Sequence, residues 1–373
     1  HTGSITINGT VTTPPNATGG LSIVNSTGGI AVNAPITYTS GSGNFSITAN
    51  GTGTSAGAIT DNGSGMITAP ALTLNASSGI GTLANPLHVQ RPAGMTISAT
   101  NQRTPSAATT GDVNISYVGA GDLTLAGVTQ ATAGGALKLV TQDGAIDTGT
   151  ALISSQGSIE LTANANGTST GDTAKITVGT GGMNAGGKVV LRAADDLTVN
   201  GTVSSAAGNG DIILVAGNAP GMNSSDNTGI QKATSPSSLP GGTCVSGGVT
   251  SGCIYPALET GSDALGTVTI NAQVNAGAGD IVIASNGSVT QPPTGNTGLI
   301  NSGASSLVVR TFNSTPGSGI QDGAVIDLNN GTVGGNLNGS SGVTLETRFV
   351  SDNDYSTAHP GDFAPSSIDY QSS

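Results

Sequence analysis

Hydrophobic residues along this chain recur at every second position, in short runs that glycine, asparagine or aspartate residues separate. Three such runs follow one another within 187–217, with the sequences VVL, LTV and IIL. A period of two predicts β-strands that bury one face. The connections between the runs contain Asn200-Gly201 and the sequence GNG at 208–210, which favour turns. The stretch therefore predicts three short strands joined by tight connections.

One unit, an apolar residue, then Thr or Ser, then a second apolar residue, recurs along the chain. We expect its two apolar residues to face inward and its central residue to face outward. Its copies are Ile5–Ile7, Leu21–Ile23, Phe45–Ile47, Leu72–Leu74, Met95–Ile97, Leu123–Leu125, Ile176–Val178, Leu197–Val199, Val268–Ile270 and Val343–Leu345. Longer repeats are spaced by about 24 residues on average, which is a period typical of solenoids. Each repeat holds too few apolar side chains to close a core alone, so we expect successive coils to stack.

These patterns predict an all-β fold, a right-handed parallel β-helix (β-solenoid) of about a dozen coils. Helical spacing of apolar residues is not sustained over more than two turns in any window. The chain has 60 glycines, nine aromatic residues and no tryptophan. A narrow interior filled by aliphatic side chains explains this composition. An array of β-sandwiches is the alternative, although sandwiches use larger core residues and hairpin-paired strands.

The repeat pattern divides the chain into four parts. Residues 1–216 and 266–350 carry the β-helix coils. Residues 217–265 form a long insertion outside the solenoid, rich in proline and without clean alternation. Residues 351–373 form a C-terminal cap over the open end of the solenoid, an arm that docks on another molecule, or a frayed tail. The aromatic residues of a possible docking arm are Phe349, Tyr355, Phe363 and Tyr370.

The charge pattern narrows the classes of partner. The formal net charge is −12, and only nine residues are Lys or Arg. So few dispersed bases cannot line a phosphate backbone, which argues against a nucleic-acid partner. No apolar run approaches 18 residues, so we expect no membrane insertion. A chain that begins at His1 without a signal peptide is expected to be a processed or excised product.

The chain contains two cysteines, Cys244 and Cys253, both in the insertion. Their spacing predicts a disulfide that closes a small loop, which indicates an oxidising, extracellular setting. Two free thiols are the alternative. A zinc site would need more ligands than this region supplies.

Three segments resemble the repeat region of filamentous-haemagglutinin-type adhesins, the large exoproteins of bacterial two-partner secretion. They are Gly57–Gln90, Gly121–Ile146 and Gly187–Val203, and the sequence GIGTLANPL at Gly79–Leu87 is the most specific part. The resemblance covers about three-quarters of the chain and implies a β-helix on the surface of a bacterium or shed from it, with roles in adhesion and biofilm. The Asn-Pro-Asn-Gly motif of that family's secretion domain is missing, since Asn85-Pro86-Leu87 is a different sequence.

Catalysis is not expected from the polar residues. Enzymes that cleave acidic polysaccharides need converging carboxylates together with a basic group. Asp195-Asp196 is a lone acidic pair, and neighbours on a strand point to opposite faces. The three histidines, His1, His88 and His359, accompany no recognisable acid–base motif. We therefore predict that the protein is not an enzyme.

Two further sequence patterns could indicate calcium binding and glycosylation. Asp122, Asp211 and Asp280 each follow a Gly-x-Gly sequence and could form a calcium ladder, but turn capping is the favoured interpretation. We therefore predict no metal and no cofactor. Fifteen Asn-x-Ser/Thr sequences are present, of which eight are Asn-Gly-Ser/Thr, and the turn preference of Asn-Gly explains their excess without glycosylation.

The sequence predicts an extracellular bacterial adhesin or biofilm-matrix β-helix that is secreted or displayed on the cell surface. It would bind host-cell or matrix glycans or proteins through loops such as 218–264. The first alternative is a structural subunit of an extracellular filament, in which β-solenoids stack head to tail. An enzyme acting on polysaccharide is a remote alternative.

Overall fold

A computed structural model gives the fold of the chain. It describes residues 3–13, 19–39, 43–51, 57–102 except 83 and 92, 111–164 except 133, 174–217 except 207–209, and 266–291 except 278 and 286; beyond these it describes strand residues alone, at 300–301, 306–313, 326–328, 337–338, 342–349 and 368–370. No helix is present in these residues. The part of the chain that the structure describes contains no helix long and apolar enough to cross a membrane.

Thirty-three strands follow one another within the described residues. The first eleven are β1 (Ile5–Ile7), β2 (Val11–Thr12), β3 (Leu21–Asn25), β4 (Ile30–Val32), β5 (Ile36–Thr37), β6 (Phe45–Ala49), β7 (Ile59–Asp61), β8 (Ile67–Thr68), β9 (Ala71–Ala76), β10 (Leu87–Gln90) and β11 (Met95–Asn101). The next twelve are β12 (Val113–Ala120), β13 (Leu123–Gln130), β14 (Leu137–Asp143), β15 (Ile146–Asp147), β16 (Ile153–Ser155), β17 (Ile159–Ala163), β18 (Ile176–Val178), β19 (Met183–Ala185), β20 (Val189–Ala193), β21 (Leu197–Val199), β22 (Val203–Ser205) and β23 (Ile212–Ala216). The last ten are β24 (Val268–Ile270), β25 (Val274–Asn275), β26 (Ile281–Ser285), β27 (Val289–Thr290), β28 (Ile300–Asn301), β29 (Ser306–Asn313), β30 (Ile326–Leu328), β31 (Leu337–Asn338), β32 (Gly342–Phe349) and β33 (Ile368–Tyr370).

All pairings between these strands are parallel, and each strand pairs with its counterpart in the next coil. The longest sheet, called here the long sheet, contains twelve strands in the order β2-β5-β8-β10-β12-β14-β17-β20-β23-β26-β29-β32. Opposite it, β3, β6, β9, β11 and β13 pair in succession. A short sheet of β1, β4 and β7 completes the first coils. Parallel pairing of strands one coil apart is the arrangement of a β-solenoid.

The cross-section of the solenoid changes between 113 and 130. Ile80 bridges the short sheet to Val113, so β12 continues both the short sheet and the long sheet. On the opposite side, the start of β13 pairs with β15 and its end pairs with β16. Gly127 lies between these two halves with a φ of +94°, a conformation that glycine adopts without strain. From here on, that side consists of two strand files, β15-β18-β21-β24-β27-β30-β33 and β16-β19-β22-β25-β28-β31.

The interior is a single continuous cluster of aliphatic side chains that extends from Ile30 to Val309. The alternation predicted for the repeats is present, since Leu197 and Val199 are buried whereas Thr198 between them is half-buried. Burial of each such Val, Leu or Ile contributes about 1.5–3 kcal/mol.

Glycine allows neighbouring coils to approach closely at one corner. A Cβ on Gly179 would lie 1.7 Å from the carbonyl oxygen of Gly149, and a Cβ on Gly201 would lie 2.2 Å from that of Gly179. No side chain fits at these distances, so the close stacking of coils depends on glycine here.

The predicted fold class is confirmed, since the chain is an all-β parallel β-solenoid. The predicted dozen coils differ slightly from the structure, in which about eight turns are formed.

Candidate binding surfaces

Asp195 and Asp196 lie in the turn between β20 and β21 and point in different directions. Asp195 is buried, and its Oδ2 accepts a hydrogen bond from the backbone N–H of Ala174 at 2.7 Å. Asp196 is more exposed; its Oδ1 accepts from the N–H of Thr267 at 2.8 Å, and its Oδ2 lies 3.2 Å from Lys175 Nζ. The two carboxylates therefore join successive coils and do not converge on one point.

The three aspartates weighed as a calcium ladder are split between two sides of the solenoid. Asp122 precedes β13, whereas Asp211 and Asp280 precede β23 and β26 of the long sheet. Asp122 Oδ1 accepts from the N–H of Ala145 at 3.0 Å, and Asp211 Oδ1 accepts from the N–H of Asp280 at 3.0 Å. Asp122 and Asp211 thus use a carboxylate oxygen to hold the backbone of the next coil. Within the described residues, no three His, Cys, Asp or Glu side chains are grouped so as to hold a metal ion.

A pair that the sequence analysis did not identify joins His88 to Asp61. His88 Nδ1 lies 2.7 Å from Asp61 Oδ2, which also accepts from the His88 backbone N–H at 3.0 Å. The Asp61 side chain is fully buried, whereas the His88 ring is 24% exposed. The signal available in the sequence was their separation of 27 residues, which is close to one coil. The carboxylate fixes the ring and the start of β10.

A rank of threonines follows the outward side of the strand file that begins with β15 and continues it back onto β13 and β11. The register places these residues in line on successive coils: Thr96, Thr124, Asp147, Thr177, Thr198, Thr269 and Thr290. This line is called the threonine rank below. Its threonines are half-buried, and neighbouring positions are about 4.8 Å apart along the solenoid. The hydroxyls of Thr124, Thr177 and Thr198 make no hydrogen bond to any other described residue.

A second rank of small polar side chains runs beside the first. It consists of Thr100, Thr129, Ser154, Asn184, Ser204 and Asn275, again in register. Within it, the Ser204 hydroxyl donates to Asn184 Oδ1 at 3.2 Å. Together the two ranks present hydroxyl and amide groups, with little charge, over several coils.

The long sheet differs, because the outward side of three of its strands is buried. These side chains are Val190 and Arg192 on β20, Ile213 and Val215 on β23, and Val282 and Ala284 on β26; we call them the covered face. Each is at most 3% exposed, and the apolar ones lie outside the interior cluster. The sequence signal was a continuous apolar run such as IILVA, which is typical of strands buried on both faces.

Arg192 is a charged group in this apolar surrounding. Its side chain is 3% exposed, and its Nε has no hydrogen-bond partner in the described part of the chain. Burial lowers the pKa of the guanidinium from its ordinary value, while the charge of Glu160 opposes this shift. A buried guanidinium is normally paired with an acid.

The first coil leaves part of the interior uncovered. Ile5 is 36% exposed, and Ile7, Val11, Leu21 and Ile23 are only partly buried. Their counterparts one coil later, including Ile30, Val32 and Ile36, are almost completely buried. The first coil therefore presents an apolar surface that another coil would cover.

Several predicted features fall where the structure gives no side-chain detail. Cys244 and Cys253 lie outside the described residues, as does the predicted insertion except for Gly217. Tyr355 and Phe363 also lie outside them. Phe349 ends β32 and Tyr370 ends β33, and β33 pairs with β30. The disulfide and the aromatic docking arm stay predictions.

Comparison with known proteins found no match to a family profile, to a curated protein or to a solved structure.

Proposed function

We propose that this protein is a non-catalytic, extracellular bacterial adhesin or biofilm-matrix protein that binds glycans or proteins of host or matrix surfaces. The contact groups would be the threonine rank and the parallel Ser/Asn rank, together with the loops beside them. The resemblance to filamentous-haemagglutinin-type adhesins supports this proposal at the level of sequence.

The observation that carries the proposal is the regular spacing of hydroxyl groups along the threonine rank, of which those of Thr124, Thr177 and Thr198 make no hydrogen bond to another described residue. Hydroxyl and amide side chains both donate and accept hydrogen bonds, so they can replace the water around sugar hydroxyls. Each such contact is weak, but a repeating polymer can meet several of them at once, and linked contacts raise the overall affinity. A solenoid holds these groups in fixed positions, which lowers the entropy lost on binding.

The test is retention of the full-length protein on immobilised biofilm matrix and on a panel of immobilised polysaccharides. The variant carries Thr124→Val, Thr177→Val, Thr198→Val and Thr269→Val, which remove hydroxyls but keep the branched shape that suits a strand. We expect unaltered protein to be retained and the variant to lose at least tenfold in apparent affinity.

The matched control carries the same four changes on outward threonines of other sheets, at Thr12, Thr37, Thr60 and Thr68. It should bind as well as the unaltered protein. Equal binding by both variants would remove the threonine rank as the contact surface. Failure of the unaltered protein to bind any of these surfaces would contradict the adhesin proposal itself.

The second candidate function is that of a filament subunit, and the uncovered first coil favours it. A second copy that stacks on this coil would bury Ile5 and supply partners for the edge strands. Ile5→Lys should then prevent fibre formation, whereas Val24→Lys, at a 51% exposed position on β3, should not. Sedimentation velocity distinguishes fibres from single rods. Single rods of the unaltered chain over a wide concentration range would exclude this function.

A further inference from the structure

The turn between β7 and β8 contains an Asn-Gly pair whose contacts favour a reaction between the two residues. Asn62, Gly63 and Ser64 are all exposed in this turn. Gly63 has a φ of +90°, and the space beside its Cα is open. A backbone nitrogen can attack the side-chain amide of the preceding asparagine, and glycine hinders this attack least because it has no side chain. The pair is therefore accessible to solvent and sterically open to attack.

Two hydrogen bonds in this turn involve the groups that would react. The backbone N–H of Gly63 donates to Asp61 Oδ1, and the backbone N–H of Ser64 donates to Asn62 Oδ1 at 3.0 Å. A carboxylate that accepts from an N–H group is placed to take its proton. A donor on a carbonyl oxygen stabilises the negative charge that develops there when the carbon is attacked. Asp61 thus has the position of a base, and the Ser64 N–H has that of an oxyanion donor.

The next coil holds Asp61 in this position. The Asp61 side chain is fully buried, and its Oδ2 accepts from the His88 backbone N–H at 3.0 Å and lies 2.7 Å from His88 Nδ1. These contacts fix the carboxylate and direct its other oxygen to Gly63. Fixed orientation of reacting groups accelerates a reaction, and here the orientation depends on contact between two coils of the folded chain.

We propose that Asn62 is a site of spontaneous deamidation, which the fold accelerates through Asp61. The Gly63 nitrogen forms a bond to Asn62 Cγ and loses its proton to the Asp61 carboxylate. The bond between Cγ and Nδ2 then breaks, and Nδ2 takes up that proton and leaves as ammonia. The product is a cyclic succinimide. Water adds to one of its carbonyl carbons and opens the ring, which leaves aspartate or isoaspartate at position 62.

The other Asn-Gly pairs that the structure describes lack this arrangement. They are Asn8-Gly9, Asn50-Gly51 and Asn200-Gly201. The N–H of Gly51 donates to the Ser77 hydroxyl at 2.7 Å, and a hydroxyl is a much weaker base than a carboxylate. Gly201 is buried, and Asn200 Oδ1 accepts from Asn271 Nδ2 at 2.8 Å. These pairs are therefore internal controls for the reaction at Asn62.

The reaction would affect the contact between coils as well as the turn. Either product places a new carboxylate beside Asp61, and two neighbouring carboxylates disfavour each other's ionised form. Isoaspartate also lengthens the main chain within the turn. We expect both changes to weaken the hold of Asp61 on His88. The proposal is independent of the adhesive function, because it concerns chemistry within one turn.

Incubation of the full-length protein at mildly alkaline pH, followed by peptide mapping with mass spectrometry, tests the proposal. In the folded protein we expect Asn62 to react roughly tenfold faster than Asn8, Asn50 or Asn200. The same incubation in urea is the control for local sequence, and there the rates at these sites should be similar. A faster rate at Asn62 that persists in urea would assign the effect to the local sequence. A folded-state rate no faster than that of the other sites would show that the turn protects Asn62. Either result would overturn the proposal.

Asp61→Asn tests the role of the carboxylate. The new amide keeps an oxygen for the Gly63 N–H but is a far weaker base, so the rate at Asn62 should fall to that of the other Asn-Gly pairs. Asp112→Asn is the matched control and should leave the rate unchanged, because Asp112 Oδ1 accepts from the backbone N–H of Ala136 at 2.9 Å and not from an Asn-Gly pair. An unchanged rate in folded Asp61→Asn would contradict the proposal. Should Asp61→Asn fail to fold, the comparison of folded and urea-unfolded unaltered protein decides the question alone.

Discussion

Because Ile212 is assigned to the inward face of the solenoid, a polar substitution there is predicted to reduce stability strongly. This residue lies on β23, is fully buried, and stacks in register between Val189 and Ile281 of the adjacent coils. We expect Ile212→Asp to be severely destabilising, because it removes an aliphatic contact from two coils and places a carboxyl group in a dry interior.

The magnitude follows from two contributions. Loss of a fully buried isoleucine removes about 1.5–3 kcal/mol of burial free energy. The carboxyl group avoids ionisation by raising its pKa, and a shift of about three units costs ~4 kcal/mol at neutral pH, since one unit is worth 1.36 kcal/mol. The sum, about 5.5–7 kcal/mol, approaches the entire stability of an ordinary domain.

The measurement is urea unfolding followed by far-ultraviolet circular dichroism, and the comparison is between unfolding midpoints, because repeat arrays need not unfold in two states. Thr198→Asp is the control, an identical new side chain at an outward position, and should change stability by about 0.5 kcal/mol or less. Equal midpoints for the two variants would refute the assignment of the inward face.

The pH dependence gives a second check on Ile212→Asp. Here the pKa of the carboxyl group is higher in the folded state than in the unfolded state, so the folded protein binds more protons between the two values. The deficit relative to the unaltered protein should therefore grow as pH rises from about 4 through the folded-state pKa, and shrink on acidification. A deficit that is constant with pH would show that the new carboxyl group reaches water.

Two further substitutions test close contacts between coils. Gly179→Ala should destabilise by about 1–3 kcal/mol or more, because its Cβ would meet the carbonyl of Gly149, whereas Gly9→Ala, where the Cβ has open space, should have little effect; thermal unfolding of both variants checks this. Asp195→Ala should cost about 1–3 kcal/mol by leaving the N–H of Ala174 without its acceptor, and Asp195→Asn should recover most of that loss in the same assay; failure of Asn to recover it would show that the negative charge is what matters.

The fold could be predicted from the sequence for two reasons. A period of two identifies each strand from its own residues, and a repeat of 20–50 residues is compatible with few folds. The residues flanking each central Thr, such as Leu197 and Val199 around Thr198, are buried as expected. The change of cross-section near β12 and β13 could not be predicted, because it depends on the register between coils.

The candidate binding surfaces were harder to predict from the sequence. The apolar–Thr–apolar unit did place the threonines outward, but only the register shows that Thr124, Thr177 and Thr198 fall into one line with Asp147. The covered face was not predicted, because continuous apolar runs such as IILVA were interpreted as strands with one buried face, like the alternating strands around them. The pairing of His88 with Asp61 requires two coils to meet, which no local pattern specifies.

The measurement that tests the account most directly is negative-stain electron microscopy of native, non-reduced protein. Twelve stacked strands in the long sheet, at about 4.8 Å each, give a rod about 60 Å long. The account predicts isolated rods of that length, which present the threonine rank along one side. Continuous fibres of uniform width would contradict it and make the filament subunit the better description.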